Sequence, residues 1–177
     1  MAMPPLTAEE RDDLLRTAGV LMRIATVDAD GDPHVTPIWF IYEEDRLWFT
    51  PRAGSDWLRH LRAHPRFACV IDETAQPYRK LVIEGEAEIV HEVGEDEVWR
   101  DRYRRIAERY VEPAGALAYI RNTIDQPRAL CALTLAEARV RSWRMPVADE
   151  PRSGIWHRRY YGAETTFGAE AGLGGDS

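Results

Sequence analysis

The sequence predicts one mainly β domain, a small antiparallel barrel with helices attached at its periphery. The chain has 177 residues, which is the size of a single ordinary domain. Apolar residues make up 45% of it, enough to bury a sizeable core. Six or seven short extended segments follow one another through short connections, with few helices between them, and a barrel is the arrangement that leaves such strands without open edges.

The first element is a predicted amphipathic helix from Thr7 to Arg16. A capping box opens it, with Thr7 as the N-cap and Glu10 as the third helical residue. Leu14 and Leu15 fall on the side that faces the core. This segment is therefore expected to pack one stripe against the barrel.

Three strands of an antiparallel meander are predicted next, at residues 20–27, 34–42 and 46–50, because turns rich in Asp, Gly or Glu separate them. Pro37 lies inside the second strand and has no N–H to donate. That strand is therefore expected at a sheet edge or with a bulge at Pro37. A short helix from Ser55 to Ala63 follows, with Ser55 as its N-cap.

The second half of the chain alternates strands and helices. Tyr103 and Ile106 belong to a set of apolar residues at helical spacing, and Gly85 is predicted to form a bulge. The predicted strands are 66–72, 80–91, 128–135 and 138–143, and the predicted helices are 95–111 and 113–122. Five of the last sixteen residues are glycine, so residues 162–177 are predicted to be a disordered tail and residues 1–161 the domain.

The charge balance excludes several classes of partner. Net charge is −7 and the isoelectric point is about 5.3, which argues against duplex DNA and against an acidic membrane surface. The longest apolar stretch, Val35–Tyr42, is too short to span a bilayer, and no leader of basic then apolar residues precedes the first helix. A cytoplasmic protein is expected. Lys80 is the single lysine among 23 basic residues.

The cysteines and histidines show no metal-site spacing. Cys69 and Cys131 stand alone, and core positions are favoured for both over a catalytic thiol. His60 and His64 are four residues apart but are flanked by arginines, so we interpret them as solvent-exposed polar residues. We expect no metal site.

Several short motifs occur together between residues 30 and 90. They are DGDPH, the strand sequence PIWF, WFT leading to Gly-Ser before a helix, HPR before a strand, and PYR followed by EGEAEI. Together they resemble the pyridoxamine 5′-phosphate oxidase-like, FMN-binding split-barrel family, in particular its flavin- and deazaflavin-dependent oxidoreductase branch. The resemblance implies a six- to seven-stranded antiparallel split β-barrel.

The resemblance also implies a homodimer with two equivalent cofactor sites at the subunit interface. In that family one strand runs beside the cofactor ring, a turn and a helix start hold the ribityl and phosphate groups, and a further strand position faces the ring. The residues of this chain assigned to cofactor binding on these grounds are His34, Thr36, Pro37, Ile38, Trp39, Phe49, Thr50, Ser55 and Lys80. Arg52, Arg59 and Trp57 are added for their chemistry, since arginines near the free amides of a helix start form an anion site and an indole stacks on an aromatic ligand. A solvated helix face is the alternative interpretation of these arginines.

The chain departs from the family at the phosphate site. The family usually has Ser-Arg-Lys where this chain has Ser55-Asp56-Trp57. If Asp56 lay about 4 Å from a phosphate charge, repulsion would cost roughly 4 kcal/mol. Asp56 is therefore expected to point away as a first-turn residue, and Arg52 or Arg59 would hold the phosphate. Trp57 either stacks on an aromatic ligand or fills the helix-to-barrel contact.

These expectations lead to one principal functional hypothesis and two alternatives. The principal one is an oxidoreductase that uses FMN, or alternatively a deazaflavin, to move a hydride to or from a small organic substrate. No side chain is assigned as catalytic. The second is a degenerate split barrel without a flavin that binds another planar ligand, such as haem. The third treats the arginine-rich helix as a protein-docking element. The aromatic and basic segment 153–162 is expected to be a lid or a tail that docks on a neighbouring subunit.

Overall fold

A computed structural model of the protein describes residues 4–148 and residue 150. The predicted segment 153–162 and the glycine-rich end lie outside the described residues. The helices are α1 (Ala8–Arg16), α2 (Asp56–Ala63), α3 (Asp96–Glu108) and α4 (Pro113–Asn122). The strands are β1 (Met22–Val27), β2 (Pro33–Ile38), β3 (Phe40–Glu43), β4 (Arg46–Phe49), β5 (Arg66–Asp72), β6 (Lys80–Glu86), β7 (Glu88–His91), β8 (Leu130–Thr134) and β9 (Arg139–Trp143).

The nine strands form two antiparallel sheets. One has five strands in the order β2-β1-β5-β6-β9, and the other has four in the order β3-β4-β8-β7. The fold is a split barrel, but it is mixed α/β rather than mainly β, because the four α-helices hold nearly as many residues as the strands. Pro37 lies on β2, at the edge of the five-stranded sheet, as its missing N–H predicts.

Nine strands are present instead of the predicted six or seven because two predicted strands cross from one sheet to the other. The segment 34–42 is interrupted at Trp39, with β2 in one sheet and β3 in the other. The segment 80–91 is interrupted at Ala87 in the same way, between β6 and β7. These two corners join the sheets into one barrel.

The main core lies between the two sheets. Met22, Ile24, Phe40 and Phe49 are fully or almost fully buried there, and Leu14 and Leu15 of α1 close one side, as predicted. The predicted capping box is present, since the Thr7 hydroxyl accepts from the Glu10 N–H while the Glu10 carboxylate accepts from the Thr7 N–H. The helix therefore starts where local sequence places it.

A second cluster lies on the opposite face of the four-stranded sheet. It joins Trp48 of β4 to Trp99, Tyr103 and Ile106 of α3. Helix α3 ends at Glu108 rather than at the predicted residue 111, so Tyr110 lies just beyond it. The Tyr110 hydroxyl instead donates to the Val20 carbonyl at 2.8 Å and accepts from the Phe40 N–H at 3.1 Å.

Gly85 does not form the predicted bulge. It pairs in regular register with Phe67, and the irregular pairing lies between β7 and β8. A Cβ at position 85 would come within 2.5 Å of the Leu133 Cδ1. The missing side chain therefore allows the close approach of core residue Leu133.

The structure corrects the prediction for His60 and confirms that for the cysteines. His60 is buried rather than exposed, and its Nδ1 lies 3.0 Å from the Thr26 hydroxyl. Helix α2 turns this face toward β1, which the flanking arginines did not reveal. Cys69 and Cys131 are buried, and burial raises the pKa of both thiols to about 12, which opposes a thiolate nucleophile at neutral pH.

Arg79, the last residue of the PYR motif, ties a loop to helix α1. Its guanidinium pairs with Glu73 at 2.9 Å and with Asp13 at 2.6 Å, and both Arg79 and Glu73 are largely buried. These hydrogen bonds and the surrounding negative charge raise the pKa of Arg79 above its ordinary value. The arginine is thus a structural clamp.

We expect Arg79→Met to lower the free energy of unfolding by about 2–3 kcal/mol, because it leaves the largely buried Glu73 carboxylate without its charged partner, with only the backbone N–H of residue 79 still donating to it. Urea unfolding at neutral pH measures this change. Arg59→Met is the control, since its ion pair with Asp56 is exposed and should contribute less than about 0.5 kcal/mol. An Arg79→Met loss no larger than that of the control would contradict the clamp.

Candidate functional site

A groove of about 350 Å³ runs between the edge of the five-stranded sheet, the loop before α2, and helices α3 and α4. Its wall contains aromatic rings and two arginines, and none of the carboxylate side chains in the described part of the chain lines it. The lining residues are Leu21, Thr36, Pro37, Ile38, Trp39, Thr50, Arg52, Ser55, Trp57, Tyr103, Tyr119 and Arg128. The groove is therefore positively charged although the chain as a whole is acidic.

The end of β2 and the corner that follows it form one wall. Thr36, Pro37 and Ile38 belong to the strand, and Trp39 lies at the corner where the chain crosses between sheets. The Trp39 indole stacks on the Tyr110 ring with a centroid separation of 5.0 Å and an interplanar angle of 2°. This stack fixes the orientation of Trp39 beside the groove.

A second wall comes from the segment between β4 and α2, through Thr50, Arg52 and Ser55, and from Trp57 in the first turn of α2. Ser55 occupies the N-cap position of α2, as predicted, but its side chain does not cap the helix. Its hydroxyl donates instead to the Arg52 carbonyl at 2.7 Å. This bond tightens the turn that presents Arg52.

Trp57 makes the predicted helix-to-barrel contact, and its stacking on an aromatic ligand stays a prediction. It lines the groove, and it also packs against the main core, with its ring centroid 6.1 Å from that of Phe49. Asp56 beside it is 71% exposed and pairs with Arg59 at 3.0 Å. The carboxylate does not line the groove, so its charge is directed away, as expected of a first-turn residue.

Four of the predicted cofactor residues do not line the groove. Arg59 is held outside by Asp56, and Phe49 is fully buried in the core. His34 packs on His60, with ring centroids 4.7 Å apart, and its Nε2 lies 3.1 Å from the Asp28 carboxylate. Lys80 lies on β6 with its Nζ 5.8 Å from the centroid of Trp143 on β9. The structure brings together the other eight.

Four lining residues were not predicted for the site, namely Leu21, Tyr103, Tyr119 and Arg128. Arg128 is the most informative, because it is buried and one guanidinium nitrogen donates to the Tyr119 hydroxyl at 3.2 Å. Arg52 donates to the same hydroxyl at 3.1 Å. The helical spacing of Tyr103 predicts that it is a core residue, not that it lines a site. No residue near Arg128 in the sequence predicts which side chains Arg128 contacts.

The two tyrosines differ in acidity. Burial raises the pKa of the Tyr103 hydroxyl to about 12, so it stays protonated at neutral pH. Burial also acts to raise the pKa of Tyr119. The adjacent Tyr103 hydroxyl and the positive charges of Arg128 and Arg52 lower this pKa by more than burial raises it, so the pKa of Tyr119 lies below its ordinary value. The groove thus favours negative charge near Tyr119.

Within residues 4–148 and 150, no cluster of three or more His, Cys, Asp or Glu side chains is arranged to hold a metal ion. In the same part of the chain, no helix is both long and apolar enough to cross a membrane.

Comparison with known proteins gives a family match and a set of similar structures. The family model described as pyridoxamine 5′-phosphate oxidase matches residues 8–144. No curated protein matches the chain.

Among the similar solved structures is the conserved hypothetical protein Rv2991 from Mycobacterium tuberculosis, at 23% identity and TM-score 0.63, covering 85% of this chain and 96% of that one. An FAD-binding protein from Mesorhizobium loti matches at 21% identity and TM-score 0.54, covering 80% and 99%. The FAD and heme binding protein from Mycobacterium smegmatis matches at 24% identity and TM-score 0.57, covering 82% and 75%. These three share the fold.

Proposed function

The chain belongs to the pyridoxamine 5′-phosphate oxidase family, and on that basis we propose that it is an oxidoreductase that binds a flavin-type cofactor in the groove. The observation that carries the proposal is the composition of the groove wall. Trp39 and Trp57 offer flat apolar surface, and Arg52 and Arg128 offer positive charge. A tricyclic ring with an anionic side chain requires this combination, and the groove volume of about 350 Å³ lies within the range of small-molecule sites.

The chain's residues position and shield such a ligand. When bound, a flavin or deazaflavin supplies two-electron chemistry, a hydride moved to or from a small organic substrate. Trp39 is held by its stack on Tyr110, and Trp57 is held by the core, so both walls are rigid before a ligand enters. Tyr103 stays protonated and can donate a hydrogen bond.

FMN is the cofactor that we propose, with a deazaflavin as the alternative. Both combine a tricyclic ring with a phosphate-bearing side chain, and the groove has the wall and the charge for either. Asp56 favours neither, because its carboxylate is outside the groove and paired with Arg59. Repulsion between Asp56 and a phosphate group, which motivated the hypothesis of a flavin-free barrel, is therefore absent from this wall.

A second copy of the chain is proposed to complete the site. The outer face of the five-stranded sheet carries an apolar patch on neighbouring strands, formed by Val35 on the edge strand β2 and by Ala25, Ala68 and Val82. Charged pairs border it, for example Glu84 with Arg141 on β9. An apolar patch with a polar rim is typical of protein interfaces, and Val35 is 67% exposed.

This face is continuous with the groove. Pro37 belongs to both, since it lies on β2 beside Val35 and also lines the groove. Lys80 lies at the far border of the same face, next to Trp143. In a symmetric dimer the same patch of each subunit faces the other. Lys80 of one subunit would then approach a ligand bound in the groove of the other subunit, not one in its own groove.

Purified protein should be yellow and should release FMN on heating; if it is colourless, we expect tight binding of added FMN or deazaflavin, measured by fluorescence quenching. Absorbance distinguishes the two ring systems. Failure of both to bind would contradict the proposal and support the barrel that takes another planar ligand. If that alternative holds, the double variant Asp56→Arg, Trp57→Lys should gain flavin affinity. If wild type binds flavin, the same double variant should instead lose flavin affinity, because it removes the Trp57 indole from the groove wall.

A further inference from the structure

We infer that Arg128, with Arg52 and Tyr119, forms an oxyanion site in the groove that binds a phosphoryl group of its ligand. The inference rests on the proposed function and deepens it, because it assigns the anionic part of the ligand to residues outside the family's usual phosphate sequence. It places the positive charge on Arg128, two residues before β8, and on Arg52 in the loop before α2, not on the residues that follow Ser55.

Arg128 is buried without a counter-ion among the described residues. It is 6% exposed, and its guanidinium nitrogens donate to the Thr50 carbonyl at 3.3 Å and to the Tyr119 hydroxyl at 3.2 Å. The guanidinium carbon also lies 4.7 Å from the centroid of the Tyr103 ring. The nearby Asp96 carboxylate accepts from the Arg128 backbone N–H, not from its side chain.

A second buried arginine shows what a purely structural arrangement looks like in this chain. Arg144 is 7% exposed, almost the same as Arg128. Its guanidinium meets the Glu10 carboxylate at 2.6 Å and the Glu150 carboxylate at 2.7 Å. A buried charge is stable only when it is paired, so Arg128 lacks a partner that Arg144 has, and an anionic ligand would supply one.

Arg52 brings a second positive charge to the same point. Its guanidinium donates to the Tyr119 hydroxyl at 3.1 Å, and its backbone pairs with that of Arg128 in an isolated antiparallel bridge. The two arginines are therefore held together both by the backbone and by a shared hydroxyl. Like charges placed so close repel each other unless an anion lies between them.

Unpartnered polar atoms mark the same wall. The Arg128 Nε is buried and has no hydrogen-bond partner among the described residues, and the buried Tyr103 hydroxyl, next to that of Tyr119, makes no hydrogen bond of good geometry there. Three other unpaired atoms among the described residues, on Arg46, His60 and Trp99, do not line the groove, so the unpaired state alone does not identify a site. In the groove wall, two such atoms lie beside two arginines, and an oxyanion would supply the partners that buried polar groups nearly always have.

The ligand chemistry is that of a phosphoryl oxyanion. Guanidinium groups match phosphate oxygens in a fixed fork geometry, and two of them with a tyrosine hydroxyl provide several donors. The phosphoryl group belongs either to the cofactor or to the substrate. FMN and riboflavin differ only in the phosphate, so comparing them distinguishes the two sources.

The test measures dissociation constants of FMN and riboflavin by fluorescence quenching for wild type, Arg128→Met, Arg52→Met and Tyr119→Phe. We expect Arg128→Met and Arg52→Met each to weaken FMN binding about ten- to a hundred-fold and to leave riboflavin binding unchanged. Tyr119→Phe should have a smaller effect in the same direction. Arg121→Met is the control, because Arg121 is an exposed arginine on the same helix as Tyr119 and its loss changes the net charge equally.

The outcomes separate this inference from the proposed function. Where wild type binds FMN more tightly than riboflavin, unchanged FMN affinity in both arginine variants overturns the oxyanion site, although flavin binding itself then stands. Arg52 is exposed, so a folded Arg52→Met protein is expected even where Arg128→Met is unstable. An Arg121→Met loss equal to those of the two groove arginines also overturns the site, since the effect would then be one of net charge.

Inorganic phosphate is the probe for the second source. If wild type binds FMN and riboflavin equally, or binds neither, phosphate should still raise the thermal midpoint of wild type and not that of Arg128→Met or Arg52→Met. That result assigns the oxyanion to the substrate. No phosphate effect on wild type under these conditions overturns the inference.

Discussion

Replacing Phe49 by alanine is expected to lower the free energy of unfolding by about 3–5 kcal/mol, the largest single effect in the barrel. The side chain is fully buried at the end of β4. Its ring lies edge-on to Phe67, with centroids 5.7 Å apart, and also contacts Trp57. Truncation leaves a cavity where both sheets and α2 meet, and urea unfolding followed by fluorescence measures the loss.

Phe49→Leu is the matched control, because it keeps most of the apolar volume and should cost less than about 1.5 kcal/mol. The pair also tests the interpretation of Phe49 as a cofactor residue. Since the structure places Phe49 in the core, Phe49→Leu should retain flavin affinity. A stable Phe49→Leu protein that has lost flavin binding would contradict the core assignment.

Val35→Arg is expected to convert a dimer into monomers and thereby to weaken flavin binding. Val35 is 67% exposed on the edge strand β2, within the apolar patch of the outer sheet face that we propose to meet a second copy. By two-fold symmetry the variant places two unpaired charges within one interface. We expect the dimer dissociation constant to rise at least about a hundred-fold, measured by sedimentation equilibrium.

Val98→Arg is the control for this experiment. Val98 is 72% exposed on α3, away from the proposed interface. Val98→Arg therefore makes the same substitution at almost the same exposure outside that interface. It should leave the mass and the flavin affinity unchanged. A wild type that is monomeric, or a Val35→Arg dimer of unchanged stability, would contradict the proposed interface.

The strands show which part of the fold follows from local sequence. Turns rich in Asp, Gly or Glu bound the segment 34–42, which predicts an extended segment there, and 80–91 is also predicted as one strand; extended chain is present in both. No local sequence pattern predicts that the chain changes sheets at Trp39 and Ala87, because the apolar residues before and after each corner are buried in the same barrel. The number of strands was therefore underestimated.

The site shows the same division. Thr36 to Trp39 and Thr50 to Trp57 were predicted because the motifs that carry them are continuous in sequence. Tyr119 and Arg128 come from elements far along the chain, and their roles depend on how α4 and the start of β8 pack beside the loop before α2. His60, wrongly predicted to be exposed, is likewise oriented by packing.

The sequence alone therefore determined those features that depend on neighbours a few residues away. The capping box of α1, the position of Pro37 on an edge strand, the outward direction of Asp56 and the family itself are of this kind. Only the tertiary structure decided that a buried arginine and an exposed arginine share one tyrosine hydroxyl. Charge pairing in a folded chain depends on distances in space, and residues 52, 119 and 128 become neighbours only when the barrel closes.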